Sequence, residues 1–116
     1  MQVSAMDEDQ VVRAARFHEA MLAGCDEAWR ACRYNPTYFR RMVLELGGVT
    51  AVQRLLASPE EFHEGLTRLW ECKRLDLSVE NWVLHPAWAP LFTDAEQAIA
   101  HRRLASVGYE PTHPPS

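Results

Sequence analysis

The sequence predicts an all-α protein: one long N-terminal helix packed with about five or six shorter helices in a compact single-domain bundle. Three observations carry this. Isoleucine occurs once, at Ile99, and no stretch of strand length alternates cleanly between apolar and polar residues. Apolar residues instead recur at steps of three and four along most of the chain. Prolines, glycines and hydroxyl residues stand where short helices would start and stop. The 116 residues suit one domain with one core, residues 1–116, with flexible ends at about 1–6 and 110–116.

In the first third, Val11, Ala14, His18, Met21, Cys25, Ala28 and Cys32 make a stripe, with Phe17, Leu22 and Trp29 beside it. This predicts a helix from about Asp7 to Cys32, whose weak point for a kink or break is Gly24. The stretch RYNPTYFRR, residues 33–41, then asks whether it is a nucleic-acid patch or a helix start. A residue before proline is pushed out of the α region, so Asn35 is expected to end one helix and cap the next. Pro36 is expected at the first helical position. Phe39, Met42, Val43 and Leu46 would form the inner face, with Arg40 and Arg41 pointing away, and Gly47 would stop the helix.

GGVTAVQRLLA predicts a short helix with Val49, Val52, Leu55 and Leu56 inside. Ser58, Pro59 and Glu61 spell a cap, a first-turn proline and a capping-box acid. Gly65 is expected to interrupt, followed by a helix turning Leu66, Leu69 and Trp70 inward. Ser78 caps VENWVLH, which ends before Pro86. Trp88, Leu91 and Phe92 anchor a tight connection. Thr93 and Glu96 form a second capping box, opening a helix that runs to about Val107 and ends at Gly108.

Together, YNPTYFRRMVLELGGVTAVQRLL, GLTRLWECKRLDLSVENWVL and PLFTDAEQAIAHRRLASVGY resemble a widespread bacterial helical domain with no assigned activity. The residues carrying the resemblance are Tyr34 and Pro36, Phe39, Gly47 and Gly48, Leu55 and Leu56, Gly65 to Trp70, Arg74 to Leu77, Leu91 to Glu96, and Gly108 with Tyr109. The likeness covers roughly residues 17 to 109. Such domains occur alone or as tails on larger proteins, some of them nuclease-like, which implies an accessory role. This chain departs from the pattern at Gly24 and Cys25, where large residues are usual, in the longer SPEEFHEG segment, and at Cys72 and Lys73, where a glycine often turns the chain.

Chemistry is sparse. Cys25 and Cys32 are seven residues apart, about 10 Å along a helix, too far for one zinc ion. His18-Glu19 and His63-Glu64 lack the second histidine of a zinc helix, and Glu60-x-x-His63 is a lone half of a di-iron motif. No nucleophile elbow or phosphate-cradling glycine loop occurs. The chain is therefore expected to be no enzyme and to need no cofactor or metal.

Three cysteines and an acidic N-terminus without a signal pattern lead to the expectation of reduced thiols and a cytoplasmic protein. No apolar run is long enough to span a membrane. The formal net charge of −4 argues against a general nucleic-acid coat, although 11 of the 12 basic residues are arginine. The expected function is a small non-catalytic protein-binding module. It would serve as an accessory or regulatory subunit or inhibitor, in a bacterial or phage nucleic-acid-processing or defence system. The candidate binding residues are Arg30, Arg33, Arg40 and Arg41 around the first helix junction, and Trp82 and Trp88 around His85-Pro86. The alternatives are a nucleic-acid-binding accessory domain using Arg33, Arg40, Arg41 and Tyr34, and a cysteine-dependent enzyme pairing Cys72 with His85 or His101.

Overall fold

The computed structural model describes residues 8 to 111, apart from the side chains of residues 59–64. Among the described residues there are six α-helices and no strand. They are α1 (Glu8–Cys32), α2 (Thr37–Leu46), α3 (Gly48–Ala57), α4 (Pro59–Glu71), α5 (Val79–Leu84) and α6 (Asp94–Ser106). Two 3-10 turns, Leu75–Leu77 and Ala89–Leu91, lead into and out of α5. No helix is long and apolar enough to cross a membrane among the described residues. The expected helix start at Asp7 and most of the expected tail lie outside the described residues.

α1 is unbroken through Gly24, because its inner stripe of Phe17, Met21, Cys25 and Ala28 is buried on both sides of the glycine. Val11, by contrast, is exposed. At the first junction Pro36, not Asn35, occupies the capping position of α2, and Asn35 contributes its carbonyl to the Thr37 N–H at 2.8 Å. Met42 and Val43 are buried as the period requires. Leu46, the last residue of α2, is 39% exposed, contrary to its expected place on the inner face.

The two glycines that follow do different things. Gly47 turns the chain at φ +90°, a conformation L side chains resist. Gly48 has to be small, because a Cβ there would lie 2.8 Å from the Cα of His18. That close approach lets the Gly48 N–H donate to His18 Nδ1 at 3.1 Å, fastening the start of α3 to α1.

α4 runs straight through Gly65, so the expected interruption does not occur. Neighbours hold a marginal segment helical when its apolar face is buried, and Leu66 and Leu69 supply that face. Ser58 makes no side-chain capping bond, and the side chain of Glu61, its expected capping-box partner, lies outside the described residues, as do those of Glu60 and His63. The other caps form as the sequence predicts. Ser78 Oγ accepts from the Asn81 N–H, and Thr93 and Glu96 exchange both bonds of a capping box.

Two apolar clusters result. The larger gathers Phe17, Met21, Val43, Val52, Val83 and Phe92, among others, from α1, α2, α3, α5 and the segment before α6. Phe17 meets Phe92 and Trp88 edge-on, at 5.4 and 5.6 Å between ring centres. The smaller cluster joins Ala28, Leu66, Leu69, Leu75 and Leu104. Between the elements, Arg103 of α6 donates to the carbonyls of Leu55 and Leu56 at 3.2 and 2.6 Å, closing the end of α3. It also pairs with buried Glu80 at 3.4 Å. Burial pushes the Glu80 carboxyl above its ordinary range, and Arg103 offsets part of that rise.

Candidate interaction site at the joined ends of α1 and α4

α1 and α4 end beside each other, each with a cysteine followed by a basic residue in the left-handed conformation. After Cys32 comes Arg33 at φ +54°, and after Cys72 comes Lys73 at φ +62°. Neither is a glycine, so each conformation has to be held by its surroundings. The Arg33 N–H donates to the Trp29 carbonyl at 2.9 Å. Lys73 and Arg74 N–H groups donate to the carbonyls of Trp70 and Leu69 at 3.1 and 2.8 Å.

The two ends are joined covalently. Cys32 and Cys72 form a disulfide across 40 residues of sequence, with their Cα atoms 5.8 Å apart. The expectation of three reduced thiols is therefore corrected: two are paired and only Cys25 is free. Sequence could not reveal the pair, because helix ends 40 residues apart become neighbours only through packing. Cys25 is buried, and that burial pushes its thiol up to about 11, with Asp26 adding to the rise and Arg40 opposing it. An activated nucleophile needs the opposite shift.

Charges brace the same corner. Glu27 accepts from Arg30 at 2.9 and 3.2 Å and pairs with Arg74 at 3.5 Å. Arg74 in turn grips Asp76 with two bonds, at 3.0 and 3.1 Å. The Arg30 hydrogen bond, seconded by the charges of Arg30 and Arg74, holds Glu27 below the usual carboxylate range. These pairs are too exposed to add much stability, but they fix the direction of the side chains.

Two tryptophans of this corner reach the surface. Trp29 is 48% exposed, with the Arg33 guanidinium 5.3 Å from its ring centre. Trp70 is 54% exposed, contrary to its expected inward direction. Its spacing from Leu66 matches helical periodicity, so nothing in the sequence separates it from the core residues. Each of these tryptophans lies within one helical turn of a disulfide cysteine.

The predicted binding residues are divided by the structure. Arg30 and Arg33 belong to this corner. Arg40 and Arg41 lie on α2. Arg40 is half-buried and ion-paired to Asp26 of α1 at 2.7 Å, so it does not point away from the fold as expected, while Arg41 is exposed. That pair raises the Arg40 pKa. Trp82 and Trp88 are partly buried and pack against the larger cluster. Tyr34 is half-buried, with the Arg68 guanidinium 5.0 Å from its ring centre. Among the described residues no group of three or more His, Cys, Asp and Glu side chains is placed to hold a metal ion.

The chain matches no family model, and comparisons with curated proteins and with solved structures gave no match.

Proposed function

We propose that this chain is a non-catalytic protein-binding module, accessory or regulatory in role, whose partner docks on the joined ends of α1 and α4. One observation carries the reading: two half-exposed tryptophans stand on a corner fixed by a disulfide and a ring of ion pairs. Tryptophan and arginine are the residue types that dominate binding energy at interfaces, and a fixed corner loses little freedom when a partner covers it. Disulfides persist in oxidising surroundings and are usually reduced in cytosol. The docking face is therefore fully preorganised only where thiols oxidise, which weighs against the cytoplasmic expectation.

The nucleic-acid alternative draws less support. Of its residues, Arg40 is engaged by a carboxylate and Arg33 by a ring, and Tyr34 is half-buried rather than open for stacking, which leaves Arg41 as its exposed arginine. The test is affinity capture from a lysate of the source organism, with wild type, Trp29→Ala and Trp70→Ala as baits. Each substitution is expected to weaken capture of a specific protein by about 2 kcal/mol or more in affinity. Circular dichroism and melting temperature should stay near wild type, because both rings are already half in water. Equal capture by all three baits would remove this corner from the interface. Arg41→Glu is a cleaner probe of α2 than a change at Arg40, which would also break the Asp26 contact.

A further inference from the structure

We propose that the interior holds a second site: a cavity of about 330 Å³ beneath the α1–α2 junction that binds a small apolar molecule carrying an amine. The cavity separates the two apolar clusters. Met21, Phe39 and Trp82 of the larger line it on one side, and Ala28, Leu66 and Leu69 of the smaller on the other. A cavity less than half this size already takes up benzene, and pockets for small molecules start at about 300 Å³.

Two glycines show that the space is kept open by the sequence. Gly24 of α1 and Gly65 of α4 both line the cavity from inside their helices. Neither has the positive φ that calls for glycine. Crowding does not demand Gly24, where a Cβ would meet nothing within 4 Å, whereas a Cβ at Gly65 would stand 3.3 Å from the Tyr34 hydroxyl and push it aside. Glycine is a poor helix residue, so alanine or leucine would favour both helices. What the glycines provide is room on the same cavity from two sides.

The polar lining specifies the ligand. Glu80 lines the cavity at 2% exposure. Its Arg103 partner stands 3.4 Å away, a long contact for an ion pair, and also donates to the carbonyls of Leu55 and Leu56, so its charge is shared among several acceptors. An ammonium group would add to that pairing, and Phe39 and Trp82 of the same lining are residue types whose ring faces attract a cation. Asn35 and Tyr38 line the cavity and are exposed, which makes the RYNPTYFRR stretch its mouth.

The test uses 2-phenylethylamine, with 2-phenylethanol as its neutral counterpart, followed by amide chemical shifts on ¹⁵N-labelled protein. The amine should bind saturably, with shifts centred on Gly24, Gly65 and Phe39, and at least tenfold tighter than the alcohol. Gly24→Leu should fill the space, raise the melting temperature and abolish binding. On wild type, saturating amine should slow modification of Cys25, a wall residue and the free thiol, by methyl methanethiolsulfonate at least fivefold. Failure of the amine to bind or to protect Cys25, or a lower melting temperature for Gly24→Leu, would overturn the site. Equal affinity for amine and alcohol would overturn the amine assignment.

Discussion

α4 and α6 finish with the same pair of backbone hydrogen bonds around different residues. At the end of α6, Gly108 and Tyr109 donate to the carbonyls of Ala105 and Leu104 at 3.0 and 2.9 Å. At the end of α4, Lys73 and Arg74 donate to Trp70 and Leu69 at 3.1 and 2.8 Å. The turning residue is Gly108 at φ +72° in one and Lys73 at φ +62° in the other. Glycine accepts that conformation, whereas a side chain there costs about 1–2 kcal/mol through its Cβ. The α6 turn therefore closes on its own chemistry. The α4 turn is held by the disulfide at Cys72, while the ion pairs of Arg74 with Asp76 and Glu27 orient the side chain beside it.

Removing the disulfide breaks this comparison most sharply. Cys32→Ser with Cys72→Ser should lower unfolding free energy by about 4 kcal/mol, from the loop entropy released over 40 residues, in a urea melt. In native-state hydrogen exchange, the amides of Lys73 and Arg74 should lose more protection than those of Gly108 and Tyr109. Equal losses at the two ends would show that the disulfide does not hold the α4 turn.

Next in size is Arg103→Ala, which strands Glu80 and two carbonyls at the end of α3. It should cost about 3 kcal/mol in the same assay. Glu80 and Glu27 should also give opposite pH profiles. Glu80 is raised above 4.5 by burial, so its contribution to stability is full below pH 4.5 and is lost as pH rises through the folded value. Glu27 is lowered by Arg30, so its contribution is present above pH 4.5 and is lost as pH falls through the folded value. Stability measured across pH should lose the first slope in Glu80→Gln and the second in Glu27→Gln.

The smallest effects exchange the turning residues themselves. Lys73→Gly should raise stability by about 1 kcal/mol, and Gly108→Ala should lower it by about 1 kcal/mol. A loss in Lys73→Gly would mean that the lysine side chain makes a favourable contact that outweighs its backbone strain.

Much of the fold is legible at the helix ends. Gly47, Ser78, the Thr93–Glu96 pair, Pro86 and Gly108 each act within a few residues of themselves, so their signals need no knowledge of neighbours. The candidate site is less legible. Arg30 and Arg33 are found from composition and position. Trp29 and Trp70 are not, because apolar residues at helical spacing read as core until the arrangement of helices decides which flank is covered. Gly65 misleads for a related reason: its propensity against helix is local, and the burial of Leu66 and Leu69 beside it is tertiary.

By itself, then, the sequence determined an all-helical chain and the places where most of its helices begin and end, since capping, proline geometry and glycine turns are short-range effects. Only the tertiary structure decided that Cys32 meets Cys72, that Trp29 and Trp70 face water while Trp82 and Trp88 pack inward, and that Gly24 and Gly65 open onto one cavity. Each of these depends on residues distant in sequence sharing one place. Only the packing of helices against each other brings them there.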